Sequence, residues 1–277
     1  MRKTIVISGT DTRKEGLRRR QAAGGGKSKP VQAVVLAGGR GTRLAPYTSV
    51  LPKPLMPIGE RSILELVLGQ LTSCGIQKVT LCVGYLAHLI EAVIGDRSPD
   101  GLEIRYVHEQ EALGTAAPLR LVPDLDSTFI AMNGDILTTI DYNALVAHHR
   151  EKENLITIAT HERPIKIDYG VLRVGRNGSS GRVVGFQEKP EMTSTVSMGI
   201  YVFEPRALEF IPVDGYFDFP QLVHALLKAG EPVGVYPYTG LWFDIGRRED
   251  YERAVEAWLP SATATSEAPF VLAGGAR

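Results

Sequence analysis

From residue 31 onward the apolar positions change period in a regular way. Val31–Ala37 is an unbroken apolar run, as in a strand buried on both faces of a parallel sheet. Ile63–Thr72 switches to helical spacing, Val79–Val83 reads as a strand, and Leu86–Ile94 as a helix. Leu102–Val107 (strand), Thr115–Leu121 (short helix), Phe129–Met132 (buried strand) and Asp141–Glu151 (helix) continue the alternation. Such alternation builds a parallel sheet with helices on both faces. The second half differs. Ile156–Thr160, Gly170–Val174, Val183–Gln187 and Ser197–Phe203 are strand-like, with turn residues such as Gly175-Arg176-Asn177-Gly178 between them. Helices return at Phe219–Ala229 and Arg248–Trp258.

The ends fall outside this pattern. Residues 1–30 hold one short strand-like run, Thr4–Ile7, in a polar, basic, Gly-rich stretch without the apolar segment of a secretory signal. They read as a flexible basic extension. Residues 260–277 are rich in Ala, Ser, Thr and Gly and read as a disordered tail. The folded domain is therefore expected over 31–259.

Charge sharpens the division. Nine of the 31 basic residues and two of the 31 acidic ones lie in the first thirty positions, so the body carries 22 basic against 29 acidic groups. An acidic body argues against a nucleic-acid surface, and any anion site must be a local concentration of positive groups. Cys74 and Cys82 fall on different predicted elements and read as reduced core residues, which suits a cytoplasmic protein. No apolar run approaches the ~20 residues that a membrane span requires.

Two Gly-rich segments mimic nucleotide motifs and fail on inspection. Gly24-Gly25-Gly26-Lys27-Ser28 has Gln21 where a P-loop needs its first glycine, and Pro30 where a helix should run. Gly39-Arg40-Gly41 has Leu44 in place of the third glycine of a dinucleotide loop. The stronger segment is Leu36-Ala37-Gly38-Gly39-Arg40-Gly41-Thr42-Arg43-Leu44 with Leu51-Pro52-Lys53-Pro54 downstream, directly after the first core strand. Three glycines in four residues let the backbone turn and present N–H groups to an anion. Arg43 can clamp phosphate oxygens bidentately. Lys53 is framed by prolines that stiffen its backbone.

Gly39-x-Gly41-Thr42-Arg43 followed by Pro52-Lys53-Pro54 resembles the signature of the sugar-nucleotide pyrophosphorylases, or sugar-1-phosphate nucleotidylyltransferases, nearest to their mannose-1-phosphate guanylyltransferase-like members. The resemblance runs from about Val31 to about Trp258. It implies an α/β fold: a three-layer α/β/α sandwich, with a Rossmann-like mixed central sheet and a strand-rich sugar-binding half on that sheet. It also implies that Leu36, Ala37, Gly38, Gly39, Gly41 and Thr42 bind the nucleotide, that Arg43 wraps the triphosphate, and that Lys53 contacts the phosphates undergoing transfer.

Asp135, in Asn133-Gly134-Asp135, follows a buried parallel strand, and a carboxylate there points into the ligand crevice of an open α/β sheet. The resemblance makes it a magnesium ligand with Asp244 as partner. Two hard oxygens plus phosphates and waters suit Mg²⁺. It likewise implies that Glu188 holds sugar hydroxyls, that Lys189 holds the sugar phosphate, and that Asn133, Gly170, Gly199 and Tyr201 line the sugar pocket; glycine allows close backbone approach. Glu109, Gly114 and Thr115 match the segment bordering the base. An ionised Glu109 only accepts, which suits the N1–H and N2–H₂ donors of guanine, whereas an amide would suit uracil or thymine. The six histidines show no ligand spacing, and His148-His149 reads as surface.

The expected reaction joins an NTP, GTP favoured, to a sugar 1-phosphate of mannose or heptose type and releases pyrophosphate. Its partners are these two substrates, with no nucleic acid and no membrane, and a homo-oligomer is left open. The alternatives are UTP or dTTP with a glucose-type 1-phosphate, CTP with an alcohol phosphate, and a non-catalytic regulatory subunit that binds nucleotide-sugars.

Overall fold

The structure is a computed structural model and describes residues 31–97, 101–175 and 181–264, with the backbone alone for 259–264. The expectations for residues 1–30 and 265–277 lie outside these residues. In chain order the elements are β1 (Gln32–Leu36), β2 (Pro57–Ile58), β3 (Arg61–Ser62), α1 (Ile63–Ser73), β4 (Lys78–Val83), α2 (Ala87–Ile94), β5 (Glu103–His108), β6 (Phe129–Asn133), β7 (Ile136–Thr138) and α3 (Tyr142–Glu151). They continue with β8 (Ile156–Lys166), β9 (Val171–Val174), β10 (Val183–Gln187), β11 (Glu191–Phe203), α4 (Phe219–Ala229), β12 (Val233–Pro237), β13 (Trp242–Asp244) and α5 (Arg248–Ala264).

Seven strands form one sheet in the order β12-β8-β11-β6-β1-β4-β5. β6, β1, β4 and β5 run parallel, β11 is antiparallel to β6 and β8, and β12 is parallel to β8. The sheet is thus mixed, with its parallel half carrying the glycine loop. Strand geometry sends alternate side chains to opposite faces. Ala33 and Val35 of β1 therefore enter one core with Ile63, Leu64 and Val67 of α1, Ile90 of α2, Tyr142 of α3 and Ala254 of α5. Val34 enters a second core with Leu222 and Leu226 of α4, Leu119 and Ala207. Burial on both faces is why β1 is apolar throughout, and the result is three layers.

Helix α1 starts where Ser62 and Glu65 form a reciprocal cap: Glu65 N–H donates to Ser62 Oγ at 3.2 Å and Ser62 N–H to Glu65 Oε2 at 2.7 Å. The short helix expected at Thr115–Leu121 is a five-residue 3-10 turn, Ala117–Leu121. Pro118 lacks an N–H and cannot extend it. β8 and β11 are longer than their apolar cores, because His161–Lys166 and Glu191–Val196 pair with each other beyond the sheet. That pairing is a long-range choice with no local apolar signature. α5 continues to Ala264, into the stretch expected to be disordered. A nucleated helix propagates cheaply, and Ala262 and Ala264 are good helix formers.

His149 is corrected from surface to core. It is 1% exposed, with Nδ1 2.8 Å from Thr157 Oγ1 and Nε2 3.2 Å from Glu204 Oε1. It lies on the inward face of α3, four residues from Leu145, and its polar partners come from other elements. Cys82 is free and buried in β4, and Cys74 is free and half-buried just past α1.

Candidate active site

β1 and β6 are neighbours, and both end at the same edge. There Gly134 N–H donates to Leu36 O at 2.8 Å, and Ala37 N–H to Cys82 O at 2.8 Å. The glycine loop begins from this anchored edge. A Cβ on Gly38 would lie 2.5 Å from Glu109 Oε1, so glycine lets the carboxylate rest against the loop backbone. Gly41 takes a left-handed conformation (φ 60°) and starts the 3-10 turn Thr42–Leu44. Leu44 is buried beneath it and anchors the turn, leaving Arg43 exposed. Thr48 Oγ1 donates to Gly41 O at 2.8 Å, and a Cβ on Gly41 would meet Lys53 Cβ at 3.1 Å. The loop is therefore braced by the segment that delivers Lys53.

Lys53 opens another 3-10 turn, Lys53–Leu55, after Pro52. It is only 9% exposed, and its ammonium forms an ion pair with Asp135 Oδ2. Asp135 sits between β6 and β7. β7 pairs antiparallel with β13, placing Asp244 opposite Ile136, and Ile245 N–H donates to Asp135 O at 3.1 Å. Two aspartates 109 positions apart thus flank one ladder. Burial, and then the charge of Asp135, push the Asp244 carboxyl above the usual carboxylate range, while Lys53 and Arg43 pull it down. A Cβ on Gly246 would lie 3.5 Å from Arg43 Nη2, so the guanidinium sits over the turn after Asp244.

Asp135 Oδ1 is buried and has no hydrogen-bond partner among the described residues. An orphaned carboxylate oxygen beside a second carboxylate is a donor set for a hard divalent cation. Among the described residues no cluster of three or more His, Cys, Asp or Glu side chains could hold a metal alone. Such an ion would need oxygens from bound substrates or water as well.

The sugar-side residues form two groups. Gly199 sits at an irregularity of β11 with φ 74°, and a Cβ there would lie 2.8 Å from Asn133 Nδ2. Tyr201 Oη accepts from Ser197 Oγ at 3.2 Å; burial pushes the phenol up, and Asp244 and Asp135 add to this. Asn133, Gly199 and Tyr201 therefore join the Asp135 cluster. Gly170, Glu188 and Lys189 form the second group, on the β9–β10 hairpin. A Cβ on Gly170 would meet Phe186 at 2.8 Å and Glu188 Oε2 at 3.2 Å, and exposed Lys189 has φ 42°. On the base side, Glu109 follows β5, and burial raises its carboxyl although Leu113 N–H donates to Oε2 at 3.4 Å. Thr115 turns its hydroxyl toward the start of α4: it lies 3.1 Å from Asp218 Oδ1 and 2.9 Å from Phe219 N.

Three contributors escaped the sequence reading. Thr48 braces Gly41, and Ser197 orients Tyr201. Trp242 lies two residues before Asp244, on the same face of β13, and donates from Nε1 to Met198 O at 3.1 Å. Only the last had a signal, its place in the strand of Asp244.

The sequence matches the nucleotidyl transferase family over residues 32–260. The chain belongs to that family. Similar proteins include a UTP–glucose-1-phosphate uridylyltransferase of Synechocystis sp., 33% identical over 253 residues, covering 83% of this chain and 63% of that protein. They also include a mannose-1-phosphate guanylyltransferase of Mycobacterium tuberculosis, 33% identical over 237 residues, covering 80% and 63%. The chain spans just under two thirds of the length of these relatives. Among solved structures, HddC from Yersinia pseudotuberculosis complexed with GMP-PN is 26% identical, with TM-score 0.62, covering 82% of this chain and 99% of that one. A Bacillus anthracis protein solved with sucrose shares the fold at TM-score 0.66 and 21% identity, covering 88% and 98%.

Proposed function

We propose that this member of the nucleotidyl transferase family transfers a nucleotidyl group from an NTP, GTP favoured, to a sugar 1-phosphate of mannose or heptose type. The observation that carries the reading is the convergence of Arg43, Lys53, Asp135 and Asp244 at the carboxyl edge of β1 and β6, beside a glycine loop. A phosphate oxygen of the sugar 1-phosphate attacks the α-phosphorus of the NTP. The bond to the β,γ-pyrophosphate breaks, and its electron pair leaves with pyrophosphate. The nucleophile is already an anion, so no side chain need remove a proton. Catalysis is then alignment and charge neutralisation.

The loop Leu36–Thr42 cradles the triphosphate, Arg43 and Lys53 neutralise the departing pyrophosphate, and Lys189 holds the incoming sugar phosphate. Asp135 and Asp244 hold Mg²⁺, which when bound neutralises phosphate charge. Glu188, Asn133, Gly170, Gly199 and Tyr201 shape the sugar pocket. The acceptor position of Glu109 favours guanine: its N1–H and exocyclic N2–H₂ donors would satisfy a carboxylate that burial now penalises.

A second reading keeps the chemistry with UTP or dTTP and a glucose-type sugar, and the Synechocystis relative supports it. A regulatory subunit is disfavoured because every charged group that the chemistry needs is present. No described helix is long and apolar enough to cross a membrane; a cytoplasmic location is part of the proposal. Pyrophosphate release with ATP, CTP, GTP, UTP and dTTP against a panel of sugar 1-phosphates tests the proposal. GTP with mannose or heptose 1-phosphate is the expected pair, and no release with any combination would overturn the catalytic reading.

A further inference from the structure

The segment between Glu109 and Ala117 has no regular structure of its own before the 3-10 turn, yet it is tied down. Its bonds run to residues 217–219, about a hundred positions away. Phe217 N–H donates to Leu113 O at 2.9 Å, and Ala116 and Ala117 N–H both donate to Phe217 O, at 3.0 and 3.1 Å. Asp218, at the start of α4, turns one carboxylate oxygen to this segment. Oδ1 accepts from Thr115 N–H at 3.0 Å and from the Thr115 hydroxyl at 3.1 Å. Thr115 Oγ1 in return accepts from Phe219 N–H at 2.9 Å, satisfying a donor that the first turn of a helix leaves open. The Thr115 hydroxyl thus has both a donor and an acceptor bond within the protein.

The fit at Gly114 is close. Its φ is 89°, and a Cβ there would lie 2.8 Å from Phe217 O and 2.9 Å from Asp218 Oδ1. The other end of the segment is held as well, since Leu113 N–H reaches Glu109 Oε2 and Glu109 Oε1 rests against Gly38. A continuous set of contacts therefore runs from Asp218 through Thr115 and Leu113 to Glu109 and the glycine loop.

We infer that Asp218 is a positioning residue for the nucleotide: it clamps the Gly114–Thr115 turn and so sets where Glu109 and the Gly114 backbone meet the base, without touching the base itself. This rests on the proposed function, in which that segment borders the nucleobase. The clamp confines a loop that local sequence leaves free, so nucleotide binding need not bear the ordering cost. Two charge-assisted bonds hold it, and an amide oxygen can accept the same two donors.

The test is titration calorimetry with GTP and Mg²⁺ on wild type, Asp218→Ala, Asp218→Asn and Leu226→Ala, followed by steady-state kinetics. Leu226 is fully buried in α4 away from the clamp and reports on lost stability alone. Asp218→Ala is expected to weaken GTP binding and raise the NTP KM by about tenfold, with the sugar 1-phosphate KM unchanged. Asp218→Asn should recover most of the loss, and Leu226→Ala should lower Tm without changing GTP affinity. Should Asp218→Ala not fold, Thr115→Val removes the hydroxyl side of the clamp and is expected to weaken GTP in the same direction. Wild-type affinity in Asp218→Ala, an equal loss in Leu226→Ala, or no recovery in Asp218→Asn would overturn the clamp alone. A wild type that binds none of ATP, CTP, GTP, UTP and dTTP would overturn the proposed function and the clamp with it.

Discussion

The ammonium of Lys53 is ion-paired to the carboxylate of Asp135, 82 residues further along the chain. The pair joins the Lys53–Leu55 turn to the end of β6, and it leaves the other Asp135 oxygen buried and without a hydrogen-bond partner among the described residues. In the proposed function it also places a positive charge where charge on the leaving pyrophosphate grows during transfer. Lys53→Ala is therefore expected to lower kcat by about one to two orders of magnitude. In the proposed function Lys189, on the exposed hairpin, holds a phosphate present before and during transfer, so Lys189→Ala should chiefly raise the sugar 1-phosphate KM. Kinetics with each substrate varied in turn separate the two, and an unchanged sugar-phosphate KM in Lys189→Ala would remove the hairpin from the site.

Asp244 carries a cost in the metal-free protein, because burial and the neighbouring Asp135 both oppose its charge. Asp244→Asn should raise Tm by a few degrees in excess chelator and lower kcat by at least about tenfold with Mg²⁺ present. Chelation of the wild type should abolish turnover, and Mg²⁺ should restore it. Full turnover in chelator would refute the two-aspartate site.

Glu109→Gln replaces a pure acceptor with an amide at the same place. The expectation is a fall of about tenfold in kcat/KM for GTP and a relative gain for UTP or dTTP. An unchanged ranking of GTP, UTP and dTTP would show that Glu109 does not select the base.

Gly199→Ala forces a left-handed conformation on a residue with a Cβ, at a cost of roughly 1–2 kcal/mol. It also pushes the new methyl group into Asn133. Tm should drop and the sugar 1-phosphate KM should rise. Gly39→Ala has open space around it and should leave Tm unchanged, which circular dichroism melts would check.

His149 governs a pH dependence at the far end of the sheet from the loop. Asn154 Nδ2 donates to Thr157 Oγ1 at 2.9 Å, so the Thr157 hydroxyl proton is free to point at His149 Nδ1. Nε2–H then donates to Glu204, which also accepts from Thr128. Burial lowers the His149 pKa below its ordinary value, outweighing the pull of Glu204. Above about pH 6.5 the unfolded and folded forms are both neutral and stability is complete. As pH falls below that, the unfolded chain takes up a proton that the folded one resists, and stability is lost. Wild-type Tm should therefore fall between pH 7.5 and about 5.5, and His149→Gln should flatten this slope without changing kcat at pH 7.5.

The sequence alone determined the alternation of buried strands and helices, the glycine loop after β1, and the charged residues of the proposed chemistry. These are local properties: side-chain period, backbone freedom and charge type are legible a few residues at a time. What tertiary structure decided was the set of contacts between distant segments. Nothing local in His161–Lys166 or Glu191–Val196 announces that they pair, because each supplies the other's hydrogen bonds. His149 looked like one of two polar residues near a helix end, and only the packing of α3 against β8 turned it inward onto Thr157. Thr115 matched a nucleotide-binding segment, yet its hydroxyl is held by α4 through Asp218, a residue with no motif of its own. Asp135 and Asp244 were each readable as carboxylates near strand ends, but their common ladder, and the unpaired oxygen between them, exist only because β7 and β13 meet. A candidate active site made of separately innocuous charges is a property of their proximity, and proximity across the chain is set by the packing of the sheet.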